Sequence, residues 1–279
     1  MMRQSRIGAN IVKVLLVVAS VLLVGVCVLS VKRFDYCVPQ EVAWLRSTPI
    51  AHRGLHDSQN DENSLGAFSN AISHGYAIEL DVRLTKDGEI VIMHDNELDA
   101  LGLDATVSDT SLADLKRLSL PRSGDRVPTF AEALAHIGGR TPILIDVKDF
   151  GIPGELEEKM MSALQGYEGE YAVQAFNPLV CRWFRRYDKD IPTGLLLADL
   201  PSFRAGWFRN LKDNLFSMIA RPGFIGYSYN DLTPAIAKEY RDSGVILLGW
   251  GLSGDAPSAM EASLVDNVIF DLAPNGIDD

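Results

Sequence analysis

The chain has 279 residues, 47% of them hydrophobic, which is enough to bury the core of one large domain. Its formal net charge is −11. All 37 acidic residues follow residue 33, but only 21 of the 26 basic residues do, so the part of the chain after residue 33 carries a formal charge of −16. An acidic body of this kind repels nucleic acid, which excludes nucleic-acid binding, and three cysteines are too few for a disulfide framework.

The chain begins with an apolar segment, residues 14–31, that contains no charge. As a helix it would reach about 27 Å, close to the hydrocarbon thickness of a bilayer. We expect an uncleaved transmembrane anchor within residues 1–33, rather than a buried core helix or a signal peptide, because no small-x-small cleavage site follows. Bulky Val26 before Cys27 also argues against a lipoprotein site. A small excess of basic residues on the amino side favours a single-pass protein of the cell membrane whose domain is extracytoplasmic.

Residues 34–47 are predicted to be a linker, and residues 48–279 one domain of alternating strands and helices. The predicted strands are 49–52, 77–83, 90–93, 143–147, 171–176, 193–197, 224–228, 245–250 and 267–271. The predicted helices are 64–74, 111–118, 129–137, 154–165, 178–187, 233–242 and 257–264. Their alternation favours an α/β fold, a closed TIM (β/α)8 barrel with 90–93 as an extra strand. An open doubly wound sheet is the alternative, but no Gly-rich phosphate loop follows the first strand.

Boundary residues support two of these helices and mark an insertion. Thr129 and Glu132 are spaced as a capping box, and Ser111 or Thr110 can cap the helix that follows it. The segment from residue 96 to 125 is rich in polar residues and glycine around one short helix, so we expect an insertion over the barrel mouth.

Two carboxylates and two histidines stand out at the ends of the first apolar runs. Glu79 and Asp81 are two residues apart on a predicted strand, so both point to the same face. Such a pair suits a hard cation, Mg²⁺ or Ca²⁺, which prefers carboxylate oxygens. His52 and His94 flank the pair in sequence and suit a reaction that removes one proton and delivers another.

Further polar residues follow other predicted strands. In a parallel barrel the carboxyl ends of all strands meet at one mouth, where Asp146, Lys148 and Trp250 join the first group. Charges that face inward are costly to bury unless they are paired or coordinated, so we expect them to surround a cation or an anionic substrate. Arg53 and Lys148 suit phosphate binding, and pairing with the nearby carboxylates is the alternative.

These motifs together resemble the glycerophosphodiester phosphodiesterase family of the PLC-like phosphodiesterase superfamily. The resemblance is carried by His52-Arg53-Gly54, Glu62-Asn63-Ser64, Glu79-x-Asp81, Thr85-Lys86-Asp87-Gly88 and His94-Asp95 and extends more thinly through Asp146-x-Lys148, Gln174 to Pro178 and Trp250. It covers roughly residues 48–273 and implies the same barrel.

The resemblance also implies roles for the residues of the mouth. It implies a divalent metal ion held by Glu79, Asp81 and Asp146, where Asp146 replaces the usual glutamate. His52 and His94 would be the acid–base pair; we favour His52 as the base and His94 as the acid, an assignment that the sequence leaves open. Glu62 would support the site or bind substrate, and Trp250 would form an apolar wall for the substrate unless it only packs in the core.

The implied function is metal-dependent hydrolysis of a glycerophosphodiester to glycerol phosphate and an alcohol. The nucleophile is water or the neighbouring glycerol hydroxyl. Two alternatives remain: a membrane-proximal enzyme for lysophospholipid or polyglycerol phosphate, and a catalytically silent domain that binds phosphodiesters or a partner. The silent domain is favoured only by Asp146 and by Ala175, which stands where the family usually has serine.

Overall fold

The computed structural model describes residues 42–199, 206–253 and 264–271, together with the single positions 13, 20 and 25. The predicted anchor lies outside the described residues except for positions 20 and 25, and so does the predicted helix 257–264 except for its last residue. Among the residues described, no helix combines the length and the apolar character needed to cross a bilayer.

All nine predicted strands are confirmed, and eight of them close into a parallel barrel. The strands are β1 Ile50–Ala51, β2 Ala77–Leu84, β3 Ile90–Ile92, β4 Ile143–Val147, β5 Tyr171–Ala175, β6 Thr193–Leu197, β7 Phe224–Ser228, β8 Ile246–Ser253 and β9 Asn267–Asp271. Strand β1 pairs with both β9 and β2 and closes the barrel. Strand β3 pairs antiparallel with β2, as the extra strand predicted there.

Helix α1 precedes the first strand, and the other helices lie in the segments that connect the strands. They are α1 Trp44–Ser47, α2 Leu65–Ser73, α3 Leu112–Leu115, α4 Phe130–Ile137, α5 Glu155–Leu164, α6 Pro178–Tyr187, α7 Gly206–Ala220 and α8 Pro234–Ser243. Both predicted caps are present: Ser111 accepts a hydrogen bond from Asp114 N, and Thr129 forms the capping box with Glu132. Helix α7 was not predicted from the sequence.

The alternation along each strand separates two apolar layers. In β2, Leu80 and Val82 face the surrounding helices, while Glu79 and Asp81 between them face the barrel interior. The amino-terminal half of the interior is apolar and contains Phe224 beside Gly194, where a Cβ would lie 2.0 Å from the ring.

The folded domain starts earlier than the predicted boundary between linker and barrel. Val42, Trp44 and Leu45 are buried and join the apolar cluster at the amino-terminal end of the barrel. The last residues of the predicted linker 34–47 therefore form part of the core.

The segment from residue 96 to 125 forms the predicted insertion and has a small core of its own. This core contains Val91, Leu98, Val107, Leu115, Leu120 and Val127. Asp61, in the loop that follows β1, accepts hydrogen bonds from the backbone of Arg122 and Ser123 at 3.1 and 2.8 Å. These bonds hold the insertion beside the loop at the carboxyl end of β1.

Candidate active site

Three buried carboxylates meet at the mouth of the barrel. Glu79 and Asp81 come from β2 and Asp146 from β4, and the strand register places Asp81 opposite Asp146. One oxygen of each lies within 4.8 Å of the others, and each residue is 3% exposed or less. The structure thus brings together the carboxylates that the sequence proposed as metal ligands.

Two basic side chains balance part of this charge. Lys148 Nζ lies 2.6 Å from Asp146 Oδ2 and 2.9 Å from Asp81 Oδ1, and Arg53 Nε lies 3.5 Å from Asp81 Oδ2. Lys148 and Arg53 therefore make the carboxylate pairs that were the alternative to phosphate binding. Arg53 is also paired with Glu62, so the two cations leave part of the negative charge of the three carboxylates uncompensated.

The crowding of negative charge is accompanied by raised pKa values for two of the three carboxyl groups. Burial, together with the charge of Asp81, raises the pKa of Glu79 to about 8. Burial likewise raises the pKa of Asp146 to about 6, although Lys148 opposes the change. For Asp81 burial acts upward too, but Lys148 and other positive groups outweigh it and lower the pKa to about 2.

The donor set fits a divalent cation. Asp146 Oδ1 is buried and has no hydrogen-bond partner among the described residues, and the same is true of Gln174 Oε1. Unpaired oxygens next to crowded carboxylates are the environment in which Mg²⁺ or Ca²⁺ binds. Asp146 reaches the cluster despite its short side chain, and Ala175 is buried on the helix-facing side of β5, so neither residue argues for a silent domain.

The loop after β1 folds back onto the carboxylates through an unusual backbone. Arg53 and Asn63 have positive φ values of 56° and 54°. This conformation lets Arg53 N donate to Glu79 Oε2 at 2.9 Å, and Asn63 Nδ2 donates to Asp81 Oδ2 at 2.7 Å. Glu62 accepts a hydrogen bond from Arg53 Nη1 at 2.6 Å, so it holds the guanidinium in place. Asn63 was missed as a site residue, although it lies within the Glu62-Asn63-Ser64 motif.

His52 is oriented by an aspartate at the end of the last strand. Its Nδ1 lies 2.9 Å from Asp271 Oδ1, and His56 Nε2 lies 3.3 Å from the same oxygen. Burial alone would lower the pKa of His52, but the bond to Asp271 and the charge of Glu79 raise it. Asp271 was missed in the sequence, although it ends a predicted strand as the other site residues do.

His94 follows β3 on the other side of the cluster. Its Nδ1 lies 2.7 Å from Asp95 Oδ1, and its backbone oxygen accepts a hydrogen bond from Arg83 Nε at 2.8 Å. Burial, reinforced by the positive charge of Lys148, lowers the pKa of His94 against the pull of Asp81. The pKa values of the two histidines are thus shifted in opposite directions by their different neighbours.

An aromatic wall completes the mouth. Trp250 is half-buried and packs edge-to-face on Phe176, with ring centres 5.7 Å apart. Lys148 Nζ lies 6.0 Å from the centre of the Phe176 ring. Phe176 therefore lies between Trp250 and Lys148 and connects the aromatic wall with the charged cluster.

Comparison with known proteins agrees with this geometry. Residues 52–273 match the model of the glycerophosphoryl diester phosphodiesterase family. A glycerophosphodiester phosphodiesterase from Caldanaerobacter subterraneus subsp. tengcongensis is 30% identical over 249 residues, covering 81% of this chain and 95% of its own length.

Solved structures share the barrel. A phosphodiesterase from Oleispira antarctica, in complex with the product sn-glycerol-3-phosphate, superposes with a TM-score of 0.67 at 22% identity, covering 80% of this chain and 92% of its own. A glycerophosphodiester phosphodiesterase from Parabacteroides distasonis gives 0.65 at 22% identity, with 81% and 93% covered. At this identity the likeness establishes the fold alone.

Proposed function

The chain belongs to the glycerophosphoryl diester phosphodiesterase family, and we propose that its barrel mouth hydrolyses glycerophosphodiesters to glycerol phosphate and an alcohol. The observation that carries the proposal is the cluster of buried carboxylates, Glu79, Asp81 and Asp146, together with the oriented imidazoles of His52 and His94. Metal-assisted cleavage of a phosphodiester requires this combination of a cation site with one proton acceptor and one proton donor.

The carboxylates Glu79, Asp81 and Asp146 are the residues that would hold the divalent cation. When bound, such an ion neutralises the charge of a phosphoryl oxygen and favours attack on phosphorus. Arg53, fixed by Glu62, and Lys148 stand beside the carboxylates and supply further positive charge toward a phosphate. Trp250 offers an apolar face to the carbon atoms of the substrate.

The two histidines move the protons. His52, whose Nδ1 is bound to Asp271, takes the proton of the attacking hydroxyl at Nε2, and the carboxylate stabilises the imidazolium that results. The attacking group is water or the neighbouring glycerol hydroxyl. His94, whose Nδ1 is bonded to Asp95, protonates the departing alcohol in its charged form.

Replacement of each histidine tests this assignment. The wild-type protein with Mg²⁺ or Ca²⁺ should release glycerol phosphate from glycerophosphocholine, and a chelator should stop the release. His52→Ala and His94→Ala should each lower kcat by about 10²–10⁴-fold with an unchanged melting temperature. His136→Ala is the matched control, since that imidazole bonds Ser69 on the outer helices. Near-normal rates in both site variants would refute the acid–base roles.

We further propose that residues 14–31 anchor the enzyme in the cell membrane, with the barrel on the extracytoplasmic side. The supporting observations are the uncharged apolar run and the basic residues around it. The full-length protein should stay in the membrane fraction after carbonate washing and should be extracted by detergent. A variant without residues 14–31 should not be retained in the membrane fraction. Recovery of the full-length protein in the carbonate wash would exclude the anchor.

A further inference from the structure

A cavity of about 340 Å³ lies beside the carboxylates, between the loop after β1 and the insertion. Glu62, Asn63 and His94 form part of its lining. Asn63 is bonded to Asp81, and Glu62 is bonded to Arg53, so the cavity adjoins the catalytic cluster on the His94 side. A volume in this range is typical of sites for small ligands.

The wall away from the cluster is apolar. It is formed by side chains of the insertion and of the segments directly before and after it, which are Ile92, Met93, Leu101, Leu120 and Val127. Asp61 also reaches the cavity, but its carboxylate accepts hydrogen bonds from Arg122 and Ser123. The surface offered to a ligand is therefore largely hydrocarbon.

The polar part of the lining is negatively charged. It contains four carboxylates, Asp61, Glu62, Asp95 and Glu97, one guanidinium, Arg122, and the imidazoles of His56 and His94; Glu62 is paired with Arg53 and Asp95 with His94. The guanidinium is engaged with the backbone oxygen of Asp57. Asp95 and Glu97 are exposed at the rim. Such a rim repels an anionic group and tolerates a neutral or positive one.

We propose that this cavity binds the leaving alcohol of the diester and selects alcohols that have an apolar body and no negative charge. His94 lies in the lining and is the group that protonates the departing oxygen, so the alcohol must leave on this side. The inference rests on the proposed phosphodiesterase activity. In this proposal, residues of the insertion determine the specificity for the leaving alcohol, while residues of the barrel carry out the cleavage.

A residue in the lining that takes no part in the chemistry provides the test. Ala100, at the rim, can be replaced by tryptophan to fill the cavity. Two probes are compared: glycerophosphocholine and the methyl diester of glycerol phosphate, whose alcohol has a single carbon. Ala100→Trp should lower kcat/KM for the first probe about ten-fold and change that for the second by less than about two-fold. Ala135→Trp, at an exposed position of α4, is the matched control.

A charge change at the rim provides an independent test. The wild-type enzyme should cleave glycerophosphocholine with a higher kcat/KM than a glycerol phosphate dimer whose leaving alcohol carries a phosphate. Glu97→Lys should reduce that preference about ten-fold. The proposal is overturned if Ala100→Trp affects both diesters equally or neither, or if Glu97→Lys leaves the preference unchanged. Failure of the wild-type enzyme on every diester would instead refute the phosphodiesterase activity itself.

Discussion

Replacement of Asp271 tests whether its hydrogen bond to His52 supports the role of His52 as the general base. The His52 Nδ1–Asp271 Oδ1 distance is 2.9 Å, and the two side chains are 21% and 28% exposed. The bare attraction between unit charges at this distance is about 6 kcal/mol at an effective dielectric constant of about 20. Water reaches both groups, so we take the net value of a charged hydrogen bond, about 1.5–3 kcal/mol. Asp271→Asn should therefore lower kcat about 10–150-fold.

The same variant should also change the pH dependence. Because Asp271 raises the pKa of His52, its replacement should lower that pKa. His52 must be neutral to accept a proton, so the acidic limb of the kcat/KM profile should move to lower pH. The profile is measured with glycerophosphocholine, and Asp190→Asn, at the opposite end of the barrel, is the control. An unchanged rate, or a limb that moves to higher pH, would refute the role of Asp271.

Three further predictions concern the metal site and the fold. Mg²⁺ or Ca²⁺ should raise the melting temperature of the wild-type protein, measured by calorimetry, and Asp146→Asn should largely abolish this increase. An unchanged melting temperature of the wild-type protein would contradict the metal site. The pKa of Glu79 rises from 4.5 to about 8 on folding, so in the absence of metal the folded state holds the extra proton. The free energy of unfolding should then fall as pH increases from about 4.5 to 8, and denaturant titrations that show no slope would be inconsistent with the buried carboxylate. Thr129→Ala removes the acceptor for Glu132 N and should lower the free energy of unfolding by about 1 kcal/mol in urea titrations, while Thr129→Ser should keep most of it.

The barrel was predictable because its signals are local. Each parallel strand is a short apolar run, and period-two alternation assigned Glu79 and Asp81 to one face before any contact was known. Convergence of strand ends then predicted that Asp146 and Lys148 lie near them, as the structure confirms. These predictions needed only the phase of each strand and the geometry common to all parallel barrels.

The remaining features depend on contacts that no local pattern encodes. Asp271 meets His52 only because β1 pairs with β9 across the closure of the barrel, 219 positions apart. The positive φ values of Arg53 and Asn63 accompany hydrogen bonds from this loop to Glu79 and Asp81, which are distant in sequence. Helix α7 was missed, and in the structure it packs mainly on the preceding helix α6 and on β6, contacts that its own sequence does not encode.

A crystal structure of the protein soaked in Mn²⁺, with the anomalous signal recorded, measures the cation site most directly. We expect one anomalous peak within about 2.0–2.6 Å of carboxylate oxygens from Glu79, Asp81 and Asp146, with the Lys148 ammonium moved aside to face the phosphate position. A map without a peak there, in which Lys148 still bridges Asp81 and Asp146, would contradict metal-assisted cleavage at this mouth.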